Sequence, residues 1–495
     1  MARLFIFGIG GTGSRVIKSL TMLLASGVDI SADEIIPIVI DPDESNGDLE
    51  RTLDILQKYQ EIRSELDFEG NGFFKTKITT LNQITEDPEA QLMLPNFHFE
   101  LTNVKNQRFK QFIDIDNLSS NNSALIHALF SSSNLESSMD VGFKGNPNIG
   151  SVVLNQIKES KEFKIFSSNY RADDRVFIVS SIFGGTGAAG FPLLAKNIRS
   201  AKSGEANKEF LKNSKIGAVC LLPYFGVAKN KNSKINKATF YSKTKAALNY
   251  YSRSLSGNKT LNALYYIGDN QTKEYANNEG SKSQKNDAHF VEIAAALSIV
   301  DFMRMEDKKL VTANGEALKP VFKEFGIKNS DGDITFSKLG TATKDRIMMP
   351  LTQMRLLNLY LDLRLEESVD DQPWSAKGKV TLTNNSFFQD SYFREDVLGF
   401  LKHFEAWIKE LARNEVSFKP FDLSVTDKNL FELINGVYKK KSLFDKYKSN
   451  PFGFFDDRLN RAERQFSDES KEKKFMKIFY TATKAIFDDR FNLKK

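Results

Sequence analysis

The fold of this chain is decided by two glycine-rich stretches, GIGGTGS at residues 8–14 and FGGTGAAG at residues 183–190. Each follows a short apolar run and precedes residues with helical periodicity, so each predicts a strand, a loop and a helix in that order. Glycine allows the backbone N–H groups at a helix N-terminus to approach an anion closely, and it accepts a positive φ. Because both stretches contain Gly-Gly-Thr-Gly, we expect these first and second glycine loops to bind one phosphate chain from two sides.

The composition is that of an ordinary globular protein, with 495 residues of which 41% are hydrophobic and 27% charged. This length predicts roughly two to four domains. The single cysteine, Cys220, excludes a disulfide framework and a cysteine-based metal site and fits a reducing compartment, so we expect a cytoplasmic protein. No apolar stretch approaches the roughly 20 residues of a membrane span, and the N-terminus passes directly into a predicted strand rather than a signal peptide. The net charge of +6 permits an acidic partner without requiring one.

Apolar runs and helical patterns alternate through much of the first part of the chain, which predicts an α/β fold with a parallel sheet covered on both faces. Strands are predicted at residues 4–7, 35–40, 176–182, 216–222 and 261–267, and helices at 16–24, 151–158, 190–201, 238–255 and 289–303.

The other segments have a different pattern. Residues 47–140 are rich in Asn, Ser, Lys and Phe and predict an inserted, mainly helical subdomain. Two strands at 334–339 and 380–382, with a helix at 351–363 between them, predict a smaller α+β domain. An amphipathic helix at 391–414 then opens a helical C-terminal region.

From Tyr438 onward Lys and Arg outnumber Asp and Glu. Such a basic segment is a solvated helical face, a filament contact, a site for an acidic protein partner or, with no nucleic-acid motif to support it, a site for DNA.

The first glycine loop by itself also fits a dinucleotide-binding fingerprint through Gly8, Gly10 and Gly13, with Asp41 as the acid that holds a ribose. Asp41 lies further along the chain than the roughly 20 residues usual for that acid, however, and this alternative gives the second glycine loop no role. Neither loop ends in the Gly-Lys-Ser/Thr of a P-loop. Tight turns without a ligand are a third interpretation.

Several motifs, in chain order, resemble those of the tubulin/FtsZ superfamily of nucleotide-binding proteins. The second glycine loop resembles the family signature Gly-Gly-Gly-Thr-Gly-Ser/Thr-Gly, although Phe183 replaces its first glycine and Ala188 its hydroxyl residue. GFKGNPNIG at 142–150, the Gly-Asn-Pro loop, resembles the FtsZ loop that embraces the terminal phosphate. Weaker matches are the acidic loop Asp41-Pro42-Asp43, LPYF at 222–225 beside the ribose, GDN at 268–270 near the base and DAH at 287–289 before the central helix.

The resemblance covers roughly residues 1–46 and 141–305 and is that of a distant bacterial tubulin-like branch. It implies a parallel, Rossmann-like nucleotide-binding sheet with a central helix, a smaller α+β domain and a helical C-terminal region. The implied units are a GTP-binding domain at 1–46 and 141–285, an insertion at 47–140, a central helix at 286–305, a second domain at 306–390 and the C-terminal region at 391–495.

The ligand implied is GTP or GDP with Mg²⁺, the metal being held mostly by phosphate and water rather than by protein ligands. Asn270 and Asp287 suit guanine, because a carboxylate accepts from its N1–H and exocyclic amine together. Asp287 is alternatively the N-cap of the helix near His289, and Asp41 and Asp43 either bind ribose or a metal-bound water or cap the next turn. The nucleotide-binding residues implied are Gly10, Gly11, Thr12, Asp41, Asp43, Gly145, Asn146, Gly184, Gly185, Thr186, Gly187, Asn270 and Asp287.

In the family, the loop after the central helix enters the site of the next subunit, where its acid positions the attacking water. The nearest match here is NGEALK at 314–319, so Glu316 is the candidate catalytic acid and Asn314 its companion. Lys319 stands where a second acid is usual, which implies slow or absent hydrolysis. An ordinary loop is the alternative.

The sequence thus predicts a GTP-binding protein, plausibly a GTPase that assembles head to tail into cytoskeletal filaments. One alternative is a non-polymerising nucleotide sensor whose partner binds residues 47–140 or the C-terminal region. Another is a dinucleotide-dependent or ThiF-like ATP-using enzyme built on the first glycine loop alone.

Overall fold

The computed structural model describes residues 2–67, 70–92, 96–139, 142–143, 145–200, 207–227, 237–255, 259–269, 274–275, 285–325, 332–369, 372–383, 386–414, 416–437 and 450–491.

A seven-stranded parallel sheet organises the described residues. Its spatial order is β3-β2-β1-β4-β5-β7-β9, and β6 and β8 form a separate parallel pair. All residues of β1, β4 and β5 are buried, as expected for a sheet with helices on both faces. The strands are β1 (Arg3–Ile9), β2 (Glu34–Ile40), β3 (Lys77–Ile78), β4 (Arg175–Ser181), β5 (Lys215–Leu221), β6 (Gly226–Val227), β7 (Ala263–Ile267), β8 (Glu274–Tyr275) and β9 (Val321–Phe325).

Helices cover this sheet and form the C-terminal region. Within the described ranges they are α1 (Gly10–Ala25), α2 (Gly47–Ser64), α3 (Pro88–Gln91), α4 (Phe109–Phe112), α5 (Ser120–Leu129), α6 (Ser132–Leu135), α7 (Pro147–Leu154), α8 (Lys161–Asn169), α9 (Gly185–Arg199), α10 (Lys208–Lys212), α11 (Lys237–Ser254), α12 (Phe290–Met303), α13 (Thr341–Ser368), α14 (Pro373–Ala376), α15 (Leu398–Arg413), α16 (Pro451–Glu463) and α17 (Lys471–Arg490).

The sheet has a switch point between β1 and β4, where the order in which strands are added changes direction. The chain leaves β1 through α1 towards β2 and one edge of the sheet, and it leaves β4 through α9 towards β5 and the opposite edge. Since parallel crossovers of this kind are right-handed as a rule, α1 and α9 are expected on opposite faces. α2 and α12 pack against α1, whereas α7 packs against α9. In open α/β sheets a ligand binds beyond the carboxyl ends of the strands at such a switch point.

The predicted α/β architecture is confirmed, and all five predicted strands of the sheet are present. α2 and β3, inside the segment predicted as an insertion, join this architecture, since α2 packs on α1 and β3 pairs with β2. Helix α13 contacts both α15 and α17, so these helices form a helical C-terminal layer. No described helix combines the length and the hydrophobicity that crossing a membrane requires.

Two predicted strands after the central helix are wrong. Residues 334–339 form one bridge, from Ile334 to Phe418, and a 3₁₀ turn, while residues 380–382 are irregular. Ile334, Phe336 and Leu382 in these runs are buried against other segments rather than paired in a sheet, and periodicity does not separate these cases. β9 was not predicted, and it pairs with β7 at the edge of the main sheet. The boundaries of a second domain at 306–390 stay a prediction.

Candidate functional site

The first and second glycine loops lie side by side at the switch point. Ile9, at the end of β1, is in register with Ser180 of β4. Gly10 has φ +73°, and a Cβ added there would lie 3.5 Å from the Cβ of Thr186. The two loops therefore line one space beyond the carboxyl edge of the sheet.

Two helices direct their N-termini into this space. α1 begins at Gly10 and α9 at Gly185, and neither preceding N-cap residue, Ile9 or Gly184, makes a side-chain hydrogen bond to its helix. The first-turn N–H groups of both helices are thus left without a side-chain cap, and the helix dipoles add positive potential at the same point. Such a position favours an anion.

The Gly-Asn-Pro loop adds a third side to the site. A Cβ on Gly185 would lie 3.1 Å from the backbone nitrogens of both Gly145 and Asn146, and a Cβ on Gly142 would lie 4.0 Å from Thr186 Oγ1. Asn146 is the N-cap of α7 and makes no side-chain cap bond. Three helix N-termini therefore meet, because α7 begins beside α9.

The acidic loop after β2 closes the opposite side. Asp41 and Asp43 are buried, and a Cβ on Gly142 would lie 3.9 Å from Pro42 Cγ. Asp41 Oδ1 accepts the N–H of Asp43 at 3.1 Å, so the predicted turn-capping role is present for Asp41. Burial raises the pKa of Asp41 to about 7, and the carboxylates of Asp43 and Asp48 act in the same direction.

A small cleft adjoins the glycine loops on the α1 side. Phe183, just before the second glycine loop, packs edge-to-face on Phe225 with ring centroids 5.7 Å apart. Arg15 lies one turn beyond the start of α1. The cleft is lined by Arg15, Tyr224, Phe225, Asn286, Asp287 and His289.

A buried ion network supports this cleft. Arg15 Nε lies 2.8 Å from Glu292 Oε1, and Arg15 Nη1 lies 3.5 Å from Asp48 Oδ2. The guanidinium also donates to the hydroxyl of Tyr224, which donates to Glu292 Oε1 at 3.0 Å. The charge of Arg15 is therefore matched by carboxylates of α2 and α12. Residues far apart in sequence form this network, and no local pattern indicates it.

His289, not Asp287, caps the central helix α12. His289 Nδ1 accepts the N–H of Val291 at 3.0 Å, and Glu292 Oε2 accepts the N–H of His289 at 3.2 Å. The alternative N-cap role of Asp287 is therefore wrong. Burial, together with the charge of Arg15, lowers the pKa of His289 to about 4, so the imidazole is neutral at pH 7.

Asp287 lies at the rim of the cleft with one oxygen engaged. Its Oδ1 accepts from Arg413 Nη2 of α15 at 2.8 Å. The predicted companion for guanine, Asn270, lies outside the described residues. The pairing of these two side chains with a base stays a prediction.

The candidate catalytic loop lies at the other end of the sheet. It follows α12 and turns back through a bridge between Val311 and Ala317, and Asn314, Glu316 and Lys319 are all exposed. Leu310, at its start, accepts a hydrogen bond from Asn262, the residue before β7, at 2.7 Å. The loop therefore sits at the amino edge of the strands, and it does not meet the glycine loops of its own chain.

A wider groove lies between α2 and β3, lined by polar side chains such as Gln57, Gln60 and Arg63. None of the three glycine-containing loops borders it, so it is not the candidate phosphate site. Among the described residues, no cluster of three or more His, Cys, Asp or Glu side chains is placed to hold a metal ion.

No family model and no curated protein matches the sequence. Among solved structures, the chain is similar to CetZ2 from Haloferax volcanii in a GTPγS-bound protofilament, at 12% identity and a TM-score of 0.29 over 63% of this chain and 60% of that one. It is also similar to CetZ from Methanosaeta thermophila strain DSM 6194, at 13% identity and a TM-score of 0.26 over 61% of this chain and 52% of that one. The chain thus spans less than two thirds of either relative, and similarity this low does not bear on what it binds.

Proposed function

We propose that this chain is a cytoplasmic GTP-binding protein of the tubulin/FtsZ type that assembles head to tail and hydrolyses GTP slowly or only when assembled. One observation carries the proposal. The first glycine loop, the second glycine loop and the Gly-Asn-Pro loop meet where three helices begin, at the switch point of a parallel sheet. That arrangement suits a polyanion longer than a single phosphate.

Main-chain groups do most of the phosphate binding in this proposal. The N–H groups of Gly10, Gly11, Gly185 and Gly187 face the phosphates, and the hydroxyls of Thr12 and Thr186 add donors. Gly145, Asn146 and Gly184 complete the set of residues proposed to contact the phosphates.

Mg²⁺ would be held mainly by phosphate oxygens and water, with Asp41 and Asp43 as the nearest carboxylates on the rim. The two carboxylates fit an outer-sphere role better than direct ligation, because one oxygen of Asp41 is already engaged by a backbone N–H. Bound Mg²⁺ would supply charge neutralisation of the phosphate chain.

In this proposal the nucleoside lies over the mouth of the cleft on the α1 side, because the cleft itself is too small to enclose it. The partly exposed ring of Phe225 borders this cleft, and Asp287 keeps one carboxylate oxygen that Arg413 does not use. A carboxylate there favours guanine, which presents two neighbouring donors, over adenine, which does not. Asn270 would join Asp287 at the base.

The first experiment measures GTP affinity by isothermal titration calorimetry on a matched pair of variants at Gly11. An added Cβ there has ordinary space, 3.7 Å from Asn46 Nδ2. Gly11→Ala should therefore fold and keep most of its affinity. Gly11→Asp puts a carboxylate beside the phosphates and should weaken binding by at least about a hundredfold.

Gly185→Asp separates this proposal from the dinucleotide and ThiF-like alternatives. Those alternatives use the first glycine loop alone, so they predict binding of NAD(H) or ATP that survives a change at Gly185. The proposal predicts loss of GTP binding, because the new side chain would lie against Gly145 and Asn146. Gly340→Asp is the control, since nothing lies within 4 Å of a Cβ there.

A non-polymerising nucleotide sensor remains the second candidate, and the exposed Lys319 in the candidate catalytic loop favours it. Such a protein would bind GTP with the same residues but would stay monomeric. Electron microscopy at rising protein concentration with GTP distinguishes the two candidates, because only the polymerising protein yields filaments.

A further inference from the structure

A lysine ammonium lies against the Gly-Asn-Pro loop. Lys243, on α11, donates a hydrogen bond from Nζ to the backbone oxygen of Gly145. Gly145 is the residue whose nitrogen faces Gly185 at the start of α9. Lys243 therefore reaches the point where α7 and α9 begin.

The position of α11 is fixed by its contacts with α9. The hydroxyl of Tyr251 donates to the backbone oxygen of Ala188 at 3.0 Å. The same ring packs edge-to-face on Phe191, with centroids 5.2 Å apart. Lys243 is partly buried, and burial lowers its pKa. The ammonium therefore lies at the Gly-Asn-Pro loop although burial removes part of its hydration shell.

Among the described residues, two other cations near the site, Arg15 and Lys18, are already paired with carboxylates. Arg15 contacts Glu292 and Asp48, and Lys18 contacts Glu410 at 3.2 Å. Within the part of the chain that the structure describes, Lys243 forms no ion pair. An ammonium has three N–H donors, and the bond to Gly145 uses one of them.

We propose that Lys243 binds the terminal phosphate of the nucleotide, a step that rests on the proposed function. The nucleoside cleft lies on the α1 side of the sheet edge, whereas Lys243 lies on the opposite, α9 side. A phosphate chain that starts at the cleft and crosses the glycine loops therefore ends near Lys243. The lysine supplies from α11 the charge that a P-loop protein supplies from within its loop.

Calorimetric titration with GTP and with GDP, in the presence of Mg²⁺, tests this assignment on the full chain. Lys243→Gln should weaken GTP binding by about tenfold to a hundredfold, the value of a charge-assisted hydrogen bond, and should change GDP binding much less. Lys243→Arg should restore most of the GTP affinity, because it keeps the charge. Lys245→Gln, an exposed lysine on the same helix, is the matched control and should bind as the wild type does.

Three results overturn the assignment. If Lys243→Gln binds GTP as tightly as the wild type does, Lys243 does not bind the terminal phosphate. Equal losses of GTP and GDP affinity with no rescue by Lys243→Arg would mean that the lysine only shapes the Gly-Asn-Pro loop. A wild-type protein that binds no guanine nucleotide refutes the proposed function as well, whereas the first two results leave that function intact.

Discussion

At the scale of single residues, the buried carboxyl group of Asp41 makes its own contribution to how stability depends on pH. Its pKa in the folded protein is about 7, well above the value of roughly 4 in an unfolded chain. Between these two values the folded state binds a proton that the unfolded state does not, so Asp41 makes the free energy of unfolding fall as pH rises.

Asp41→Asn should remove this dependence while keeping the side-chain oxygen that accepts the N–H of Asp43. We expect the variant to gain stability relative to the wild type between pH 4 and pH 7, by up to about 4 kcal/mol. Urea unfolding of both proteins at pH 4.5 and pH 7.5 measures the difference. An equal difference at the two pH values would show that Asp41 has the same pKa folded and unfolded.

At the scale of residues, the sequence predicted the glycines of the two glycine loops, but it did not indicate the buried partners of Arg15 or the position of Lys243. The need for glycine can be recognised in the sequence where two close residues must pack against each other. Gly13 is five residues after Gly8, and a Cβ added to Gly13 would lie 2.4 Å from the carbonyl carbon of Gly8. The partners of Arg15 are on other elements, so nothing near Arg15 in the chain indicates a buried pair. The same holds for Lys243, which meets the site only because α11 packs along α9.

At the scale of elements, α15 of the C-terminal region positions one wall of the small cleft beside the glycine loops. Glu410 on this helix accepts from Lys18 of α1 at 3.2 Å, from Arg51 of α2 at 2.6 Å and from the N–H of Ala288 at 3.0 Å. Asn414, one turn further, donates to the backbone oxygen of Ala288. Docking of α15 therefore fixes the residues that precede the central helix.

Glu410→Gln should destabilise the protein by about 3–5 kcal/mol, because it leaves the buried ammonium of Lys18 without its carboxylate, whereas Arg51 keeps Asp48 as a partner. Lys409→Gln on the same helix is the control. Its partner Glu405 is an i,i+4 neighbour near the surface, so the expected cost is below about 1 kcal/mol. Urea unfolding of the two variants checks this, and equal losses would mean that Glu410 contributes no more than a surface ion pair.

The strands could be predicted from the sequence where both faces of the sheet are buried. The core strands read as continuous apolar runs because helices cover both faces, and five of them were found from sequence. β9 was missed because it alternates as an edge strand, with Phe322 more than half exposed and Lys323 bonded to Asp301. Residues 334–339 and 380–382 were mistaken for strands because short apolar runs bury equally well in irregular segments.

At the scale of the whole molecule, the two halves of the proposed catalytic machinery lie at opposite ends. The glycine loops follow the carboxyl ends of the strands, and the loop with Glu316 lies at their amino ends, where Arg175 at the start of β4 contacts Asp307 at 2.7 Å. A strand of seven residues such as β4 separates them by about 20 Å. The proposed catalytic role of Glu316 therefore requires a second copy of the chain, because this distance separates Glu316 from the glycine loops of its own chain.

Such a contact would join different surfaces of two identical chains, and it would propagate as a filament where the rotation between copies does not close a ring. A mixing experiment tests it directly. Gly11→Asp keeps the Glu316 loop but should bind no nucleotide, whereas Glu316→Gln keeps the nucleotide site but lacks the acid. Neither variant alone should release phosphate from GTP at the wild-type rate.

Mixed in equal amounts, the two variants should recover part of that rate, because a Glu316→Gln subunit with bound GTP can receive the intact loop of a Gly11→Asp subunit. The recovered rate should rise with total protein concentration, as for any step that needs association. A mixture that releases phosphate no faster than its two components separately would refute catalysis between subunits. Wild-type protein that assembles with GTP but releases no phosphate would instead show that Lys319 leaves the shared site unable to position water.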